Sequence, residues 1–170
     1  MNGSEIDNRQ KKIKAIRRAA NTGLYGSLLF VVLTIVEHYL AQYVWIHEIT
    51  ASDYTHRLFL MVGLVLAVAD IALVLFALRR QLPRVRQLDS VDERLERYAA
   101  LVRSVYCTTM AVVFVLCAII VTTKENTLIM LLLLMVVMLM LAYPNMYKMK
   151  ADMGLTDDEM KELFGDKFLA

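Results

Sequence analysis

Cysteine is scarce in this chain, and the motifs of catalytic chemistry are missing from it. The two cysteines among the 170 residues, Cys107 and Cys117, lie ten residues apart in one apolar segment. On a helix this spacing separates them by about 15 Å, too far for a disulfide bond. The sequence also has no phosphate-binding loop, no nucleophile elbow, no dinucleotide fingerprint and no HExxH or paired-cysteine pattern. We therefore expect a protein without catalytic residues and without a cofactor.

A secretory signal peptide is also missing. The first 22 residues are polar, and they contain no short apolar core followed by a small-residue cleavage site. We therefore expect the first apolar segment of the chain to direct membrane insertion by itself.

Long apolar segments dominate what is present. Hydrophobic residues make up 58% of the chain, above the roughly 45 to 50% of soluble domains. Four segments approach the ~20 apolar residues that cross a hydrocarbon layer of about 30 Å. The predicted fold class is therefore all-α, an integral membrane four-helix bundle with cytoplasmic helical extensions. The predicted spans cover about residues 23–45, 58–78, 99–122 and 127–143.

Basic residues collect on one predicted side of the membrane. Of the 19 Lys and Arg residues, only Arg57 and Lys124 lie in the predicted outer connections. The positive-inside rule therefore places both termini and the loop 79–98 in the cytoplasm. Short outer connections and the lack of a signal peptide favour a bacterial inner (plasma) membrane. The predicted divisions are a basic amphipathic segment 1–22, a transmembrane domain 23–143 and a tail 144–170.

Local signals predict helices in the cytoplasmic parts. Pro83 is expected to break the helix after the second span, and Ser90 with Glu93 matches a capping box that starts a helix running into the third span. The basic N-terminal segment, with Ile6, Ile13 and Ile16, is expected to lie on the anionic inner leaflet.

The tail carries a second set of helix signals. Thr156 and Glu159 match a capping box, and Leu155 with Met160 matches a hydrophobic staple. These signals predict a short amphipathic helix that ends near Gly165. Its apolar side is expected to consist of Met160, Leu163 and Phe164.

Small and weakly polar residues recur at heptad-like spacing in the first three predicted spans. Such residues let membrane helices approach closely, so these seams are expected to face one another. The fourth span is Leu, Ile, Met and Val from Leu128 to Leu141, and is predicted to be peripheral. The seams are Gly23, Ser27, Phe30, Thr34, Glu37 and Ala41 in the first span, Gly63, Ala67, Asp70, Val74 and Ala77 in the second, and Ser104, Thr108, Ala111, Val115, Ala118 and Thr122 in the third.

Glu37 and Asp70 are acidic residues inside predicted spans, where a charge costs about 2.5 to 3.5 kcal/mol. Their predicted depths differ by only about 6 Å. If the seams meet, the two carboxyls are expected to share a proton or a cation in an intramembrane polar site. His38 is adjacent in sequence but lies about 100° round the helix and needs another partner. The structural alternative is that Asp70 is protonated or hydrogen-bonded to a neighbouring helix while Glu37 reaches the outer interface.

The outer loop offers weaker candidates for metal binding. His47, Glu48, Asp53 and His56 are zinc ligands by residue type, but their spacing matches no known zinc pattern. An ordinary polar loop is the favoured interpretation.

Two main functions follow as hypotheses. The first is a non-catalytic accessory or scaffold protein that presents its cytoplasmic helix and tail to a protein partner. The alternative is a small proton- or cation-coupled transporter or channel that uses Glu37 and Asp70, in which case the chain is expected to form a homo-oligomer. An enzyme of membrane lipids is a third interpretation. The lipid bilayer is the expected surrounding, and nucleic acid is not an expected partner because the basic run lacks interleaved aromatic residues.

Overall fold

The computed structural model describes residues 3–43 and 53–164, with side chains described for 7–40 and 54–164. All regular secondary structure in these ranges is helical, which confirms the predicted all-α class. The helices are α1 Gly3–Tyr43, α2 Asp53–Arg86, α3 Val91–Thr123, α4 Asn126–Leu141, α5 Met146–Met153 and α6 Asp157–Phe164.

Three of these helices are long and apolar enough to cross a membrane. They contain the segments Asp7–Leu40, Tyr54–Arg86 and Val91–Thr123. Helix α4 has 16 residues and is therefore about 24 Å long, shorter than a hydrocarbon layer of about 30 Å. It qualifies as a fourth span only together with α5, from which it is bent by 79°.

Helix α2 continues through Pro83, so the predicted break at this proline is wrong. The helix ends at Arg86, which places Pro83 in the last turn. There the missing N–H removes a single hydrogen bond, the one to the carbonyl of Arg79, with little of the helix left to disrupt. The predicted start of the next helix is confirmed, because the Arg94 amide donates to the Ser90 carbonyl at 3.0 Å and α3 begins at Val91.

The chain forms two compact units, which we call the charged unit and the apolar unit. The charged unit consists of Met1–Asn21, Val74–Tyr106 and Tyr143–Ala170, and the apolar unit of Thr22–Leu73 and Cys107–Ala142. All basic residues except Arg57 and Lys124 belong to the charged unit.

Helix α4 supplies much of the core of the apolar unit. Leu128 and Leu132 are fully buried, and they pack with residues of α1, α2 and α3. Gly63 explains the close approach, because a Cβ atom there would lie 3.2 Å from Leu128 Cδ1. The prediction of a peripheral fourth span is therefore wrong. The core consists of Val31, Ala67, Val113, Leu116, Cys117, Ile119, Ile120, Leu128, Leu132, Met135 and Val136.

The predicted seams of α1 and α2 are buried or half-buried wherever their side chains are described, which leaves out Ala41, but the predicted seam of α3 is wrong. Ser27 and Thr34 on α1 are buried, as are Gly63 and Ala67 on α2. All six seam residues of α3, from Ser104 to Thr122, are exposed in this chain. The small residues of α2 already make room for the leucines of α4, and α3 packs through its larger branched side chains instead.

The charged unit encloses the apolar face of the tail. Met160 and Leu163 of α6 are buried, which confirms the predicted apolar side of this helix. Ile13 and Ile16 of α1 are buried as well, so the expectation that they lie on the lipid leaflet is wrong: they pack against protein. The side chain of Ile6 and residue Gly165 lie outside the described residues.

Candidate functional site

Three polar side chains are buried in the apolar unit, one from each of the first three helices. They are Ser27 of α1, Asp70 of α2 and Thr109 of α3, and the exposed fraction is at most 3% for each. Two contacts place them on one level. A Cβ atom at Gly26 would lie 2.9 Å from Met110 Sδ, which brings α1 against α3 next to Ser27 and Thr109. Thr109 in turn lies beside the Asp70 carboxyl.

None of these three groups is satisfied by the protein around it. Among the described residues, Ser27 Oγ, Asp70 Oδ1 and Thr109 Oγ1 are buried without a hydrogen-bond partner, so the Thr109 hydroxyl is near the carboxyl but does not meet hydrogen-bond geometry. A buried polar group left unpaired costs about 1 to 3 kcal/mol. Three such groups on one level therefore form a cluster that can gain hydrogen bonds or ligand contacts from a small occupant.

The donor set of this cluster consists of oxygen atoms. Two hydroxyls can each donate one hydrogen bond and accept others, and a carboxyl can hold a proton or offer two oxygens. Oxygen ligands suit protons and hard cations, whereas soft metals prefer thiolate or thioether sulfur. We call Ser27, Asp70 and Thr109 the Asp70 cluster.

Glu37 lies at a different level from Asp70. Its Oε1 atom accepts a hydrogen bond from Lys124 Nζ at the end of α3. Glu37 is 10 residues beyond Ser27 on α1, a separation of about 15 Å along the helix. The structure therefore does not bring the two carboxyls together. A sequence signal for the ion pair existed, because Lys124 is one of only two basic residues in the predicted outer connections.

His38 is buried in the apolar unit but also lies away from the Asp70 cluster. It is 11 residues beyond Ser27 on α1, about 16 Å along the helix. Its ring meets the Tyr39 ring edge to face, with centroids 5.7 Å apart. Its Nδ1 atom has no hydrogen-bond partner among the described residues.

The weak metal candidates are only partly described. His47 and Glu48 lie outside the described residues, and Asp53 begins α2 with its side chain undescribed. His56 Nε2 lies 2.8 Å from Glu125 Oε1 in the turn between α3 and α4. No group of three or more His, Cys, Asp or Glu side chains with metal-binding geometry occurs within the part of the chain that the structure describes.

The charged unit contains a buried hydrogen bond that sequence reasoning missed. The Tyr98 hydroxyl donates to Asp152 Oδ2 at 3.0 Å, and Lys148 Nζ lies 3.8 Å from the same oxygen. Arg86 Nε donates to the Asp152 backbone carbonyl at 3.3 Å. Because these partners are 54 and 66 residues apart in sequence, no local pattern could have indicated them.

Ion pairs also hold α6 in the charged unit. Arg94 Nη1 lies 3.6 Å from Glu159 Oε1, and the Arg17 guanidinium lies 5.8 Å from the centroid of the Phe164 ring. At the start of α6, the hydrogen bond and positive charge of Lys150 lower the pKa of Asp157. The tail helix is thus an integral part of the charged unit.

The described part of the protein is all-α, and three of its helices are long and apolar enough to span a membrane. Comparison with protein-family models, with curated proteins and with solved structures finds no match to this chain.

Proposed function

We propose that this protein binds a proton or a small hard cation at Asp70 and acts as a small proton- or cation-coupled transporter or channel. The observation that carries the proposal is Asp70, a residue 3% exposed, whose Oδ1 has no hydrogen-bond partner among the described residues and whose carboxyl lies beside the Thr109 hydroxyl. Ionisable groups inside membrane helices are expensive and usually serve an ion or proton pathway.

The chemistry of the Asp70 cluster suits an exchange of occupants. As a neutral acid, the Asp70 carboxyl donates one hydrogen bond, which the neighbouring Thr109 hydroxyl can accept. After the proton leaves, the carboxylate accepts hydrogen bonds from Ser27 and Thr109 or coordinates a cation. The same three side chains therefore serve the protonated and the deprotonated states without a change of fold.

The proposed topology has four crossings, with α4 and α5 together making the fourth. Both termini and the connection between α2 and α3 lie in the cytoplasm, in a bacterial inner membrane. The charge distribution supports this orientation, because 17 of the 19 basic residues, all except Arg57 and Lys124, belong to the charged unit.

Glu37 is not part of the proposed site. Its carboxylate is paired with Lys124, and His56 is paired with Glu125 in the same turn. We propose that these two pairs hold the turn between α3 and α4 against α1 and α2, which is a structural role.

The proposal is tested with the full chain reconstituted into liposomes. Proton and Na⁺ flux are followed with an internal pH dye and a Na⁺ dye after a pH jump or a Na⁺ jump. Asp70→Asn is expected to abolish the flux, and Ser27→Ala or Thr109→Val to reduce it. Thr122→Val is the matched control, because Thr122 is an exposed threonine on the same helix as Thr109. Infrared difference spectra provide a second readout, a carboxylic acid band that disappears in Asp70→Asn. Flux and spectra unchanged in that variant would overturn the proposal.

A second candidate function is the accessory or scaffold role. The position of α6 favours a partner that binds the folded charged unit. Because the apolar face of α6 is buried within the charged unit, a partner would bind the assembled unit and not a free tail helix. The two functions make opposite predictions. Removal of residues 155–170 abolishes association under the scaffold hypothesis and leaves Asp70-dependent flux intact under the transport hypothesis.

A further inference from the structure

The last turns of α2 combine a strongly positive charge with an apolar surface. From residue 71 to residue 88 the chain contains four arginines and no acidic residue. An open, shallow cleft of about 520 Å³ runs along this stretch. It is lined by Leu75, Leu78, Arg79, Leu82, Pro83 and Arg86.

Arg86 is held in position at one end of this cleft. Its Nε donates to the Asp152 carbonyl, and its aliphatic stem packs on Gly154, where a Cβ atom would lie 3.3 Å from Arg86 Cγ. Gly154 has a φ of 65° and terminates α5 in the left-handed conformation, which glycine adopts without strain. Arg86 is thus oriented through one nitrogen, and its terminal nitrogens remain able to donate elsewhere.

The other arginines differ in what they contact. The Arg80 guanidinium lies 5.6 Å from the centroid of the Phe76 ring. Arg79 is exposed and lines the cleft. Over residues 54–164 and 7–40, whose side chains are described, no carboxylate forms an ion pair with Arg79, Arg84 or Arg86. Two arginines therefore stand at an apolar cleft with their charge uncompensated.

We propose that this cleft binds an anionic phospholipid, with the phosphate on Arg79 and Arg86 and an acyl chain along Leu75, Leu78 and Leu82. Guanidinium groups bind phosphate through paired charge-assisted hydrogen bonds. Basic clusters directly after a membrane-spanning helix are placed to meet anionic headgroups. A free phosphate would leave the leucines without a role, whereas an amphiphilic anion uses both surfaces of the cleft.

The test is native mass spectrometry of the full chain released from detergent with defined lipid. Dioleoyl phosphatidylglycerol is expected to remain bound to the wild type, and dioleoyl phosphatidylcholine is expected to bind at least about tenfold more weakly. Arg79→Gln with Arg86→Gln is expected to abolish this preference. The matched control is Arg18→Gln with Arg103→Gln, which removes two exposed arginines outside the cleft and gives the same net charge. Arg79→Gln alone is included because the Arg79 side chain is exposed, and unchanged circular dichroism verifies the fold of each variant.

Three outcomes would overturn the inference. An equal loss in both double variants would mean that lipid is attracted only by overall charge. Displacement of phosphatidylglycerol by millimolar inorganic phosphate would mean that the cleft recognises a soluble phosphate. Equal binding of short-chain and dioleoyl phosphatidylglycerol would mean that the leucine surface takes no part.

Discussion

Arg9 Nη1 lies 2.7 Å from Glu162 Oε1, a contact that joins the first helix to the last across 153 residues of sequence. The same guanidinium donates from Nη2 to Asp92 Oδ2 at 2.9 Å. One side chain thus links α1, α3 and α6 within the charged unit. The tail helix is held by this arginine as well as by its buried apolar face.

Replacing Arg9 is expected to loosen α6. Arg9→Gln removes the ion pairs with Asp92 and Glu162, and because these two carboxylates are partly exposed we expect a cost of about 1 to 2 kcal/mol. Amide hydrogen exchange across residues 157–164 is expected to accelerate about tenfold. Lys11→Gln is the control, because the ion pair of Lys11 with Asp7 lies within α1 and is largely exposed. Unchanged exchange in Arg9→Gln would show that apolar packing alone holds the helix.

Removing the capping box is expected to unravel the start of α6. The Thr156 amide donates to Glu159 Oε2 at 2.7 Å, and the Glu159 amide lies 3.3 Å from Thr156 Oγ1. Thr156→Ala is expected to cost about 1 kcal/mol. Thr156→Ser is expected to retain most of the stability, because serine keeps the hydroxyl. Circular dichroism melts of the full chain measure both, and equal melting of the two variants would contradict the role of the hydroxyl.

Local rules predicted the ends of helices better than their packing. The capping box of α6 involves residues three apart, so the sequence contains all the information that forms it. The exposed face of α3 shows the opposite case. Its small residues matched the pattern of a packing seam. The close contact forms instead between Gly63 on α2 and Leu128 on α4. Because these two residues are 65 positions apart in sequence, local spacing could not indicate that α2 packs on α4.

The same distinction explains what was found and missed at the candidate site. Asp70 was identifiable because a carboxyl inside an apolar span is expensive in itself. The other two buried polar side chains, Ser27 and Thr109, were not identifiable as a set with Asp70, because Thr109 lay outside the predicted seam of α3. Helical spacing also could not show that Glu37 pairs with Lys124, since that depends on how far α1 extends relative to α3.

Adding a methyl group at Gly63 is expected to strain the apolar unit. The new Cβ atom would lie 3.2 and 3.3 Å from the two terminal carbons of Leu128, and such overpacking costs about 1 to 3 kcal/mol. Gly63→Ala is therefore expected to lower the melting temperature in detergent, and Leu128→Val is expected to restore part of it. Gly26→Ala is the comparison, because its nearest neighbour is the flexible Met110 side chain. Failure of Leu128→Val to compensate would place the strain elsewhere.

The stability of the charged unit is expected to depend on acid through Asp157. The pKa of this carboxyl is lowered by the hydrogen bond and charge of Lys150. A lowered pKa means that the contribution is fully present above the ordinary aspartate value and is lost as pH falls through the lower folded value. Between pH 6 and 8 the contribution is expected to stay constant. Asp157→Asn removes this contribution to stability. The difference in melting temperature between variant and wild type is therefore expected to be larger at about pH 7 than at about pH 3.

Glu37 and Asp70 are expected to respond differently to neutralisation. Glu37→Gln breaks the ion pair with Lys124, whose side chains are 37% and 42% exposed, so a coupling of at most about 1 kcal/mol is expected. A double-mutant cycle with Lys124→Gln, read from melting temperatures, measures that coupling. Proton and Na⁺ flux in liposomes is expected to survive in Glu37→Gln and to disappear in Asp70→Asn. If both variants lose flux while keeping their fold, the two carboxyls act as one site although Glu37 lies about 15 Å along α1 from Ser27, and the assignment of Glu37 to a structural pair is wrong.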